Sequence, residues 1–440
     1  MDGSSIAEAA GFQVAGCRSQ MGEFPTCTGC GLRFVVMATR TAARGAHKTI
    51  STLPVVRISE RGAARLKNGH VWVYRSDITG AGGIGPGVLV SVVDPNRNLL
   101  ATAVYSSASQ IALRLLSSGP VEDFAAMLRE RIATAIRYRG PLVRDTDAYR
   151  VVFSEGDFLP GVIVDRYNDI LSLQILTQAV DTGPAREAIV SQLREQLRPA
   201  SIVERVDPRA RALEQLAPRE SGLLEGEKTE TIFTMNGVRF RYSALSGQKT
   251  GAFLDQRENY AAAARFAHGE ALDVFCYQGG FALHLAKNCS QLTGVDSSRP
   301  ALEVADQNAA LNRREIEWIE GNAFDVLKDY ASAGRQYDSI VIDPPAFAKS
   351  RKNLETALRG YKELNLRALK MLRPGGILVS CSCSYHVSEA DFLQMLAEAA
   401  IDARRSVRVL EARGQAMDHP VVLTIPETNY LKAAILHVSR

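Results

Sequence analysis

Two thiols and one carboxylate carry the most chemistry in this chain. Cys381 and Cys383 stand in "SCSCSYHV" (380–387), and Asp343 ends the apolar run in "SIVIDPPAFAKSRKN" (339–353). Residues two apart on an extended segment share a face, so both thiols can point into one site. A thiolate is a covalent nucleophile. Carbon 5 of a cytosine is too weak a nucleophile to attack a methyl donor directly. A thiolate adding to carbon 6 turns carbon 5 into an enamine carbon that can. Position alone leaves open whether either cysteine does this, because a buried cysteine pair is also an ordinary core feature. After Asp343, the fixed φ of Pro344 and Pro345 preorganises the loop. The Asp343 carboxyl can accept from an exocyclic amine or, when protonated, donate to a ring nitrogen. Phe347 offers a stacking face, and Lys349 with its neighbours in "KSRK" suits phosphates. The stretch reads as a clamp for a nucleobase. Asp343, Cys381 and Cys383 are its catalytic candidates, and Pro344, Pro345, Phe347 and Lys349 its substrate contacts.

A second constellation sits at three other strand ends. "DVFCYQGGF" (273–281) closes a strand, and Gly279-Gly280 would let the backbone approach a ligand. This is not G-x-G-x-x-G, and no third glycine follows to fit a dinucleotide pyrophosphate. Asp296 comes 23 residues after Asp273, where an acidic residue can take both ribose hydroxyls of a nucleoside. "GNAF" (321–324) offers Asn322 and the Ala323 backbone to an adenine edge. Together these describe an adenosine cofactor without a phosphate cradle, which is S-adenosylmethionine. Gly279, Gly280, Asp296, Asn322 and Ala323 are the contacts this pattern expects.

The elements that must position these groups follow from periodicity. From about 245 onward, strand-like and helical runs alternate: "EALDVFC", "QLTGVDSS", "IEWIEGNAF", "YDSIVIDPP" and "GILVSCS", each but the third followed by a helical run, then a terminal pair "HPVVLTIPE" (419–427) and "LKAAILHV". That alternation predicts an α/β, mainly parallel, doubly wound sheet, whose ligands bind past the carboxyl ends of the strands. Residues 54–118 predict a small β-barrel built from 53–59, 70–74, 87–94 and 110–117. Its Gly-rich "GAGGIGPG" (80–87) is a turn cluster, since a strand rather than a helix follows. A helix with Phe124, Leu128, Ile132 and Ile136 on one face leads into a central α+β unit. That unit includes a hairpin at 230–243 turning on Asn236-Gly237. The expected domains are 1–50, an extension without periodicity; 51–120; 121–244; and 245–440.

Composition narrows the class. The chain has 440 residues, 46% hydrophobic and 23% charged, with a net charge of +4. No apolar run reaches the roughly 18 residues of a membrane-spanning helix. The small net charge does not betray a polyanion partner. The basic runs "RVDPRARAL" (205–213) and "KSRKN" (349–353) are each most simply solvated faces. Of seven scattered cysteines, Cys276, Cys289, Cys381 and Cys383 lie in apolar strand or helix surroundings, which suits a reducing cytosol, and a cytoplasmic location is expected. Cys17, Cys27 and Cys30 with His47 make a poor metal site, so no metal is expected. Met37 could open an alternative start.

Six stretches resemble the bacterial 23S rRNA large-subunit methyltransferases of the RlmI type. They are "SEGDFLPGVIVDRY" (154–167), "SGQKTGAFLDQREN" (246–259), "LDVFCYQGGFALHLA" (272–286), "IVIDPPAF" (340–347), "SCSYHVSEADF" (382–392) and "DHPVVLTIPETNYLK" (418–432). The likeness spans about 52–440. It implies an N-terminal PUA domain that binds RNA, a central mixed domain and a Rossmann-like class I methyltransferase domain. It also implies methylation of cytosine carbon 5 in 23S rRNA or a precursor of the large subunit. The resemblance also makes Phe275, Tyr277, Gln278, Phe281 and Asp343 cofactor contacts, with Gln248, Thr250 and Gln256 as cofactor-pocket residues, Lys249 facing RNA, and Cys383 as the family's "SCS" cysteine. Asn322 stands where an Asp is frequent in the family, and Cys381 is an extra thiol. RNA is the expected partner, with a second copy of the chain a further candidate. Two other readings compete: methylation of another rRNA base such as guanine without an adduct, and a non-catalytic RNA-binding assembly factor. Asp296, the Asp343-Pro344-Pro345 loop and the glycine loop together speak against the last.

Overall fold

A computed structural model describes residues 53–245, 252–348 and 350–440. Cys17, Cys27, Cys30, Met37 and His47, the Gln248-Lys249-Thr250 stretch, and Lys349 lie outside the described residues. Among those described, no helix is long and apolar enough to cross a membrane.

The N-terminal sheet has six strands, in spatial order Trp72–Tyr74, Ile111–Ser117, Leu99–Tyr105, Leu89–Val93, Val55–Ile58, Ile78–Gly80. Its core is small and β-branched: Val56, Ile58, Val73, Val90 and Val92 meet Leu113. Several elements were not foreseen from sequence, the short edge strand Ile78–Gly80 among them. "LLATAVY" supplies a seven-residue strand, and Glu60–Lys67 is a helix. Ser59 caps that helix by accepting from the Gly62 N–H, with Glu60 in its first turn and Arg65 and Lys67 in its last. Gly62 allows the helix to close on Asp77, whose Cβ would lie 3.1 Å from an added Cβ. Buried Asp77 in turn accepts from Ser59, Arg61 and Arg65.

Helix Phe124–Arg139 packs Leu128 and Ile132 onto a five-stranded sheet that runs from Gly222–Gly226 through Ser201–Glu204, Ile170–Ile175 and Val162–Tyr167 to Ala148–Phe153. The basic run 205–213 is partly internal. Arg211 is buried and pairs with Asp181 at 3.0 Å. The hairpin Glu230–Met235/Val238–Ser243 turns on Asn236 and Gly237, both at positive φ (52° and 75°), as a twist-matched two-residue turn requires. Its buried face does not belong to the central sheet alone. Phe233, Phe240 and Tyr242 join Tyr167 on one side and Tyr260, Phe281 and Ala282 on the other in one core. The core therefore runs continuously across residue 245.

The C-terminal sheet has seven strands: β1 Gly269–Val274, β2 Cys289–Asp296, β3 Glu317–Glu320, β4 Tyr337–Ile342, β5 Leu372–Ser382, β6 Ser406–Arg413 and β7 Lys432–Ser439, in the order β3-β2-β1-β4-β5-β7-β6. The first five in that order are parallel; β7 runs antiparallel to β5, and β6 to β7. Residues 419–427 are not the expected strand. Pro420 and Pro426 break the run, which holds one isolated bridge and a 3₁₀ turn at Pro426–Thr428. The sixth strand is "SVRVLEAR" instead. The strand order reverses between β1 and β4, so the crevice for a ligand opens past their carboxyl ends.

Candidate active site

A cavity of ≈ 1500 Å³ lies at that crevice. Its walls come from the loops after β1, β2, β4 and β5, from Phe253–Gln256, and from the outer part of the central hairpin, including Arg241.

The loop after β1 is held by its own backbone. The N–H groups of Phe275 and Cys276 donate to the Val295 carbonyl (2.9 and 3.0 Å), and Gly279 N–H donates to the Cys276 carbonyl at 2.8 Å. Phe275 and Tyr277 both adopt positive φ (68° and 48°), a cost for bulky residues that such over-determination sustains. Asp273 accepts from the Ala282 N–H at 2.8 Å, pinning the next helix, and burial pushes its carboxyl up to about 7. The two glycines also meet a packing need. A Cβ on Gly280 would lie 2.5 Å from the Tyr260 hydroxyl, and one on Gly279 would lie 3.0 Å from Trp318. Close packing against these side chains by itself excludes larger residues at both positions. Phe275, Tyr277 and Gln278 face the large cavity, whereas Gly280 and Phe281 border only a small adjoining pocket.

Asp296, at the end of β2, faces the cavity. One carboxylate oxygen accepts from Tyr277 N–H and the other from Ser298 N–H, each at 2.9 Å. The carboxylate is thus fixed in orientation, with lone pairs left on both oxygens for a pair of hydroxyls. Asn322 and Ala323 are not among the residues that line the cavity. Asn322 caps helix Ala323–Ser332, its Oδ1 accepting from Phe324 N–H at 2.9 Å. Its side-chain acceptor is already engaged there, and Ala323 is buried.

Asp343 lines the cavity where β4 ends. Its Oδ1 accepts from Gln256 Nε2 at 3.0 Å. Gln256 is held by Asn259, whose Nδ2 donates to Gln256 Oε1 at 2.7 Å, and Asn259 accepts from Arg413 at 2.9 Å. Burial, then the neighbouring Asp255 and Asp273, push the Asp343 carboxyl up to about 8, so it is a proton donor at neutral pH. Pro344 and Pro345 continue the wall. Phe347 does not. Its ring packs on Tyr361 (4.8 Å between centroids) and near Phe324 (6.1 Å), with Gly360 below it, so the stacking face expected for a base is occupied by protein.

The two cysteines are separated by the strand end. Cys381 is fully buried in β5 opposite Ala433, and burial with nearby Asp343 pushes its thiol far up. Cys383 lies beyond β5, is partly exposed and lines the cavity, its Sγ 3.8 Å from the Pro344 carbonyl. Lys432 was not singled out from sequence. It stands opposite Ser382 in the β5–β7 ladder, and its ammonium donates to the carbonyls of Ser384 (2.7 Å) and Tyr430 (2.9 Å). Burial pulls Lys432 down to about 8, and Cys383 opposes that fall. Asp255, Tyr430 and His419 also line the cavity unforeseen. The stretches "LDQREN" and "ETNYLK" held the only signal, polar residues set among apolar ones.

Residues 56–118 match the family of PUA-like domains, and residues 175–433 match the S-adenosylmethionine-dependent methyltransferases. The chain is 37% identical to ribosomal RNA large subunit methyltransferase I of Shewanella denitrificans, over 85% of this chain and 96% of that protein. It is 36% identical to the protein of the same name from Yersinia pestis, over 82% and 94%. Among solved structures, a Streptococcus mutans protein assigned as a SAM-dependent methyltransferase superposes with a TM-score of 0.75 at 20% identity, over 88% of this chain and all of that one. A second match, solved with SAH, gives 0.74 at 19% identity. The donor set at the crevice fits the same cofactor: a fixed carboxylate for two hydroxyls, aromatic and amide walls, and no phosphate cradle.

Proposed function

The chain belongs to the ribosomal RNA large subunit methyltransferase I family of S-adenosylmethionine-dependent methyltransferases, and from that membership we propose that it methylates carbon 5 of a cytosine in 23S rRNA through a Cys383 adduct. The observation that carries the cytosine reading is the pairing of a partly exposed thiol, Cys383, with a neutral carboxyl, Asp343, on one cavity wall. Asp296, Tyr277, Gln278 and Gln256 would hold the cofactor. When bound, it supplies an electrophilic methyl group.

The chain's own residues do the rest. The Cys383 thiolate adds to carbon 6 of a base flipped out of its stack. The ring electrons displaced by that addition are received at N3, where the Asp343 carboxyl donates its proton. Carbon 5 thereby becomes nucleophilic. Lys432, buried beside Cys383, favours the thiolate as a neighbouring cation does. The buried Cys381 takes no part. The 51–120 region would hold RNA, the 121–244 region would form the outer cavity wall, and the 245–440 region would carry out the chemistry. An rRNA substrate implies a cytoplasmic protein. The test is methyl transfer from labelled cofactor to 23S rRNA, followed by mass spectrometry of the nucleosides. The label is expected in 5-methylcytidine; label in a methylated guanosine would overturn the reading.

A further inference from the structure

A thiolate adduct is only half of a carbon-5 methylation. Once carbon 5 carries the methyl group, it also still carries its hydrogen. That proton must leave before the sulfur can. The Asp343 carboxyl has given its proton to N3 and takes that same proton back, so it is not the acceptor for carbon 5.

We propose, resting on the cytosine reading above, that the Asp255 carboxylate removes the carbon-5 proton and that Tyr430 positions it for this step. Asp255 belongs to the 3₁₀ turn Leu254–Gln256, next to the glutamine that holds Asp343, and it lines the same cavity as Asp343 and Cys383. Its backbone carbonyl is fixed by the Ala416 N–H at 2.8 Å. The Tyr430 hydroxyl donates to Asp255 Oδ2 at 2.6 Å. Among the described residues, Oδ1 has no hydrogen-bond partner, so one oxygen is anchored and the other is available. The anchor is tied to the nucleophile through a short chain of contacts. The Tyr430 carbonyl accepts from Lys432, whose ammonium also donates to the carbonyl of Ser384, the residue after Cys383. Burial and Asp255 itself hold the Tyr430 hydroxyl far above its ordinary range, so it stays a donor and does not compete as a base.

The other acceptors facing the cavity are placed less well. Both oxygens of Asp296 already accept backbone N–H groups at the β2 end. His419 is buried, with its Nδ1 3.4 Å from Asp418 and its ring packed on Phe153 at 5.3 Å. The step balances within the chain. Asp255 takes hydrogen 5 as a proton, and the C–H electron pair forms the C5–C6 double bond. The C6–S bond breaks, its electron pair leaves on sulfur as the Cys383 thiolate, and N3 returns its proton to Asp343.

The experiment follows adduct rather than activity. Full-length Asp255→Asn, which keeps an acceptor for Tyr430, is mixed with ordinary 23S rRNA transcript and methyl-labelled cofactor, then denatured. The expected result is a denaturation-resistant protein–RNA adduct carrying the label, with turnover reduced at least ~100-fold. Tyr430→Phe is expected to accumulate the same adduct to a lesser extent, which a purely structural role would not produce. Turnover of Asp255→Asn within a few-fold of wild type would overturn the assignment. So would a loss of turnover with no adduct, in a variant that still binds cofactor, or a labelled adduct from His419→Gln instead. Wild type with 5-fluorocytidine RNA separates the two levels. If it traps no adduct, the cytosine reading fails; if it traps one while Asp255→Asn stays clean on ordinary RNA, only the base assignment fails.

Discussion

Two aspartates in this molecule, one buried and one lining the cavity, behave in opposite ways. Asp418 sits at a junction where helix Phe124–Arg139, strand Ala148–Phe153 and helix Arg257–Phe266 meet the C-terminal segment. Its Oδ1 accepts from Arg257 at 3.0 Å and its Oδ2 from the Arg150 N–H at 2.8 Å, while its backbone carbonyl accepts from Arg139 at 2.7 Å. Burial alone would raise its pKa, but His419 and Arg257 outweigh burial and hold the carboxyl well below the usual range. Asp343 is placed against Asp255 and Asp273 with only the Gln256 amide to oppose them, and it rises to about 8. Desolvation acts on both; the charge of the neighbours decides the outcome. The junction uses cations to keep a carboxylate ionised and bind three segments together. Among the described residues no cation pairs with Asp343, which therefore keeps a proton for chemistry.

The sharpest way to break this contrast is to exchange the consequences. Asp418→Ala is expected to cost about 3–5 kcal/mol, because it strands the buried Arg257 guanidinium. Asp343→Asn is expected to leave the fold at least as stable as wild type while crippling methyl transfer. Urea denaturation of the two variants reads both, and equal losses would abolish the distinction.

Asp296 tests the cofactor side of the cavity. Asp296→Ala is expected to weaken S-adenosylmethionine by about 1.5–3 kcal/mol, roughly 10- to 150-fold, without unfolding the protein. Unchanged affinity in calorimetry would remove Asp296 from the cofactor site.

pH should separate the two aspartates in the same titration. Asp343 and Asp273 have raised folded-state values, about 8 and about 7. Their contribution to stability is therefore present below the unfolded value near 3.8 and is lost as pH rises toward 8. Asp418 is lowered, so its contribution is present above that value and is lost only as the solution becomes strongly acidic. Cofactor-free protein should lose stability between pH 4 and pH 8, and Asp343→Asn should flatten that slope. An unchanged slope in thermal melts would contradict the neutral carboxyl. The smallest effect belongs to Cys381→Ala, a core truncation expected to cost about 1 kcal/mol and to leave methyl transfer within a few-fold.

The parallel sheet and the central hairpin were readable in the chain before folding, the Asp418 junction was not, and the reasons are specific. β-α alternation gave the parallel sheet, and Asn236-Gly237 gave its hairpin, because both are local signals. "SVRVLEAR" escaped notice as a strand because it lies at the sheet edge, and its half-exposed residues do not read as an apolar run. "HPVVLTIPE" misled for the opposite reason, being apolar in composition while Leu423 and Val421 are exposed. Phe347 was read as a ligand contact because a sequence does not show that Tyr361 fills the space beside it. Lys432, Tyr430 and Asp255 were missed because their meaning lies in contacts between distant segments: Asp255 and Tyr430 are 175 residues apart.

The central claim is that Cys383, and not Cys381, forms a bond to the target base. The direct measurement uses 23S rRNA carrying 5-fluorocytidine, which cannot lose fluorine as a proton, so the adduct cannot resolve. Wild type and Cys381→Ala are predicted to give a denaturation-resistant protein–RNA band whose linked peptide contains Cys383, and Cys383→Ala is predicted to give none while still binding cofactor. A band of wild-type strength from Cys383→Ala, or no band from wild type on RNA that it methylates when unfluorinated, would contradict the account.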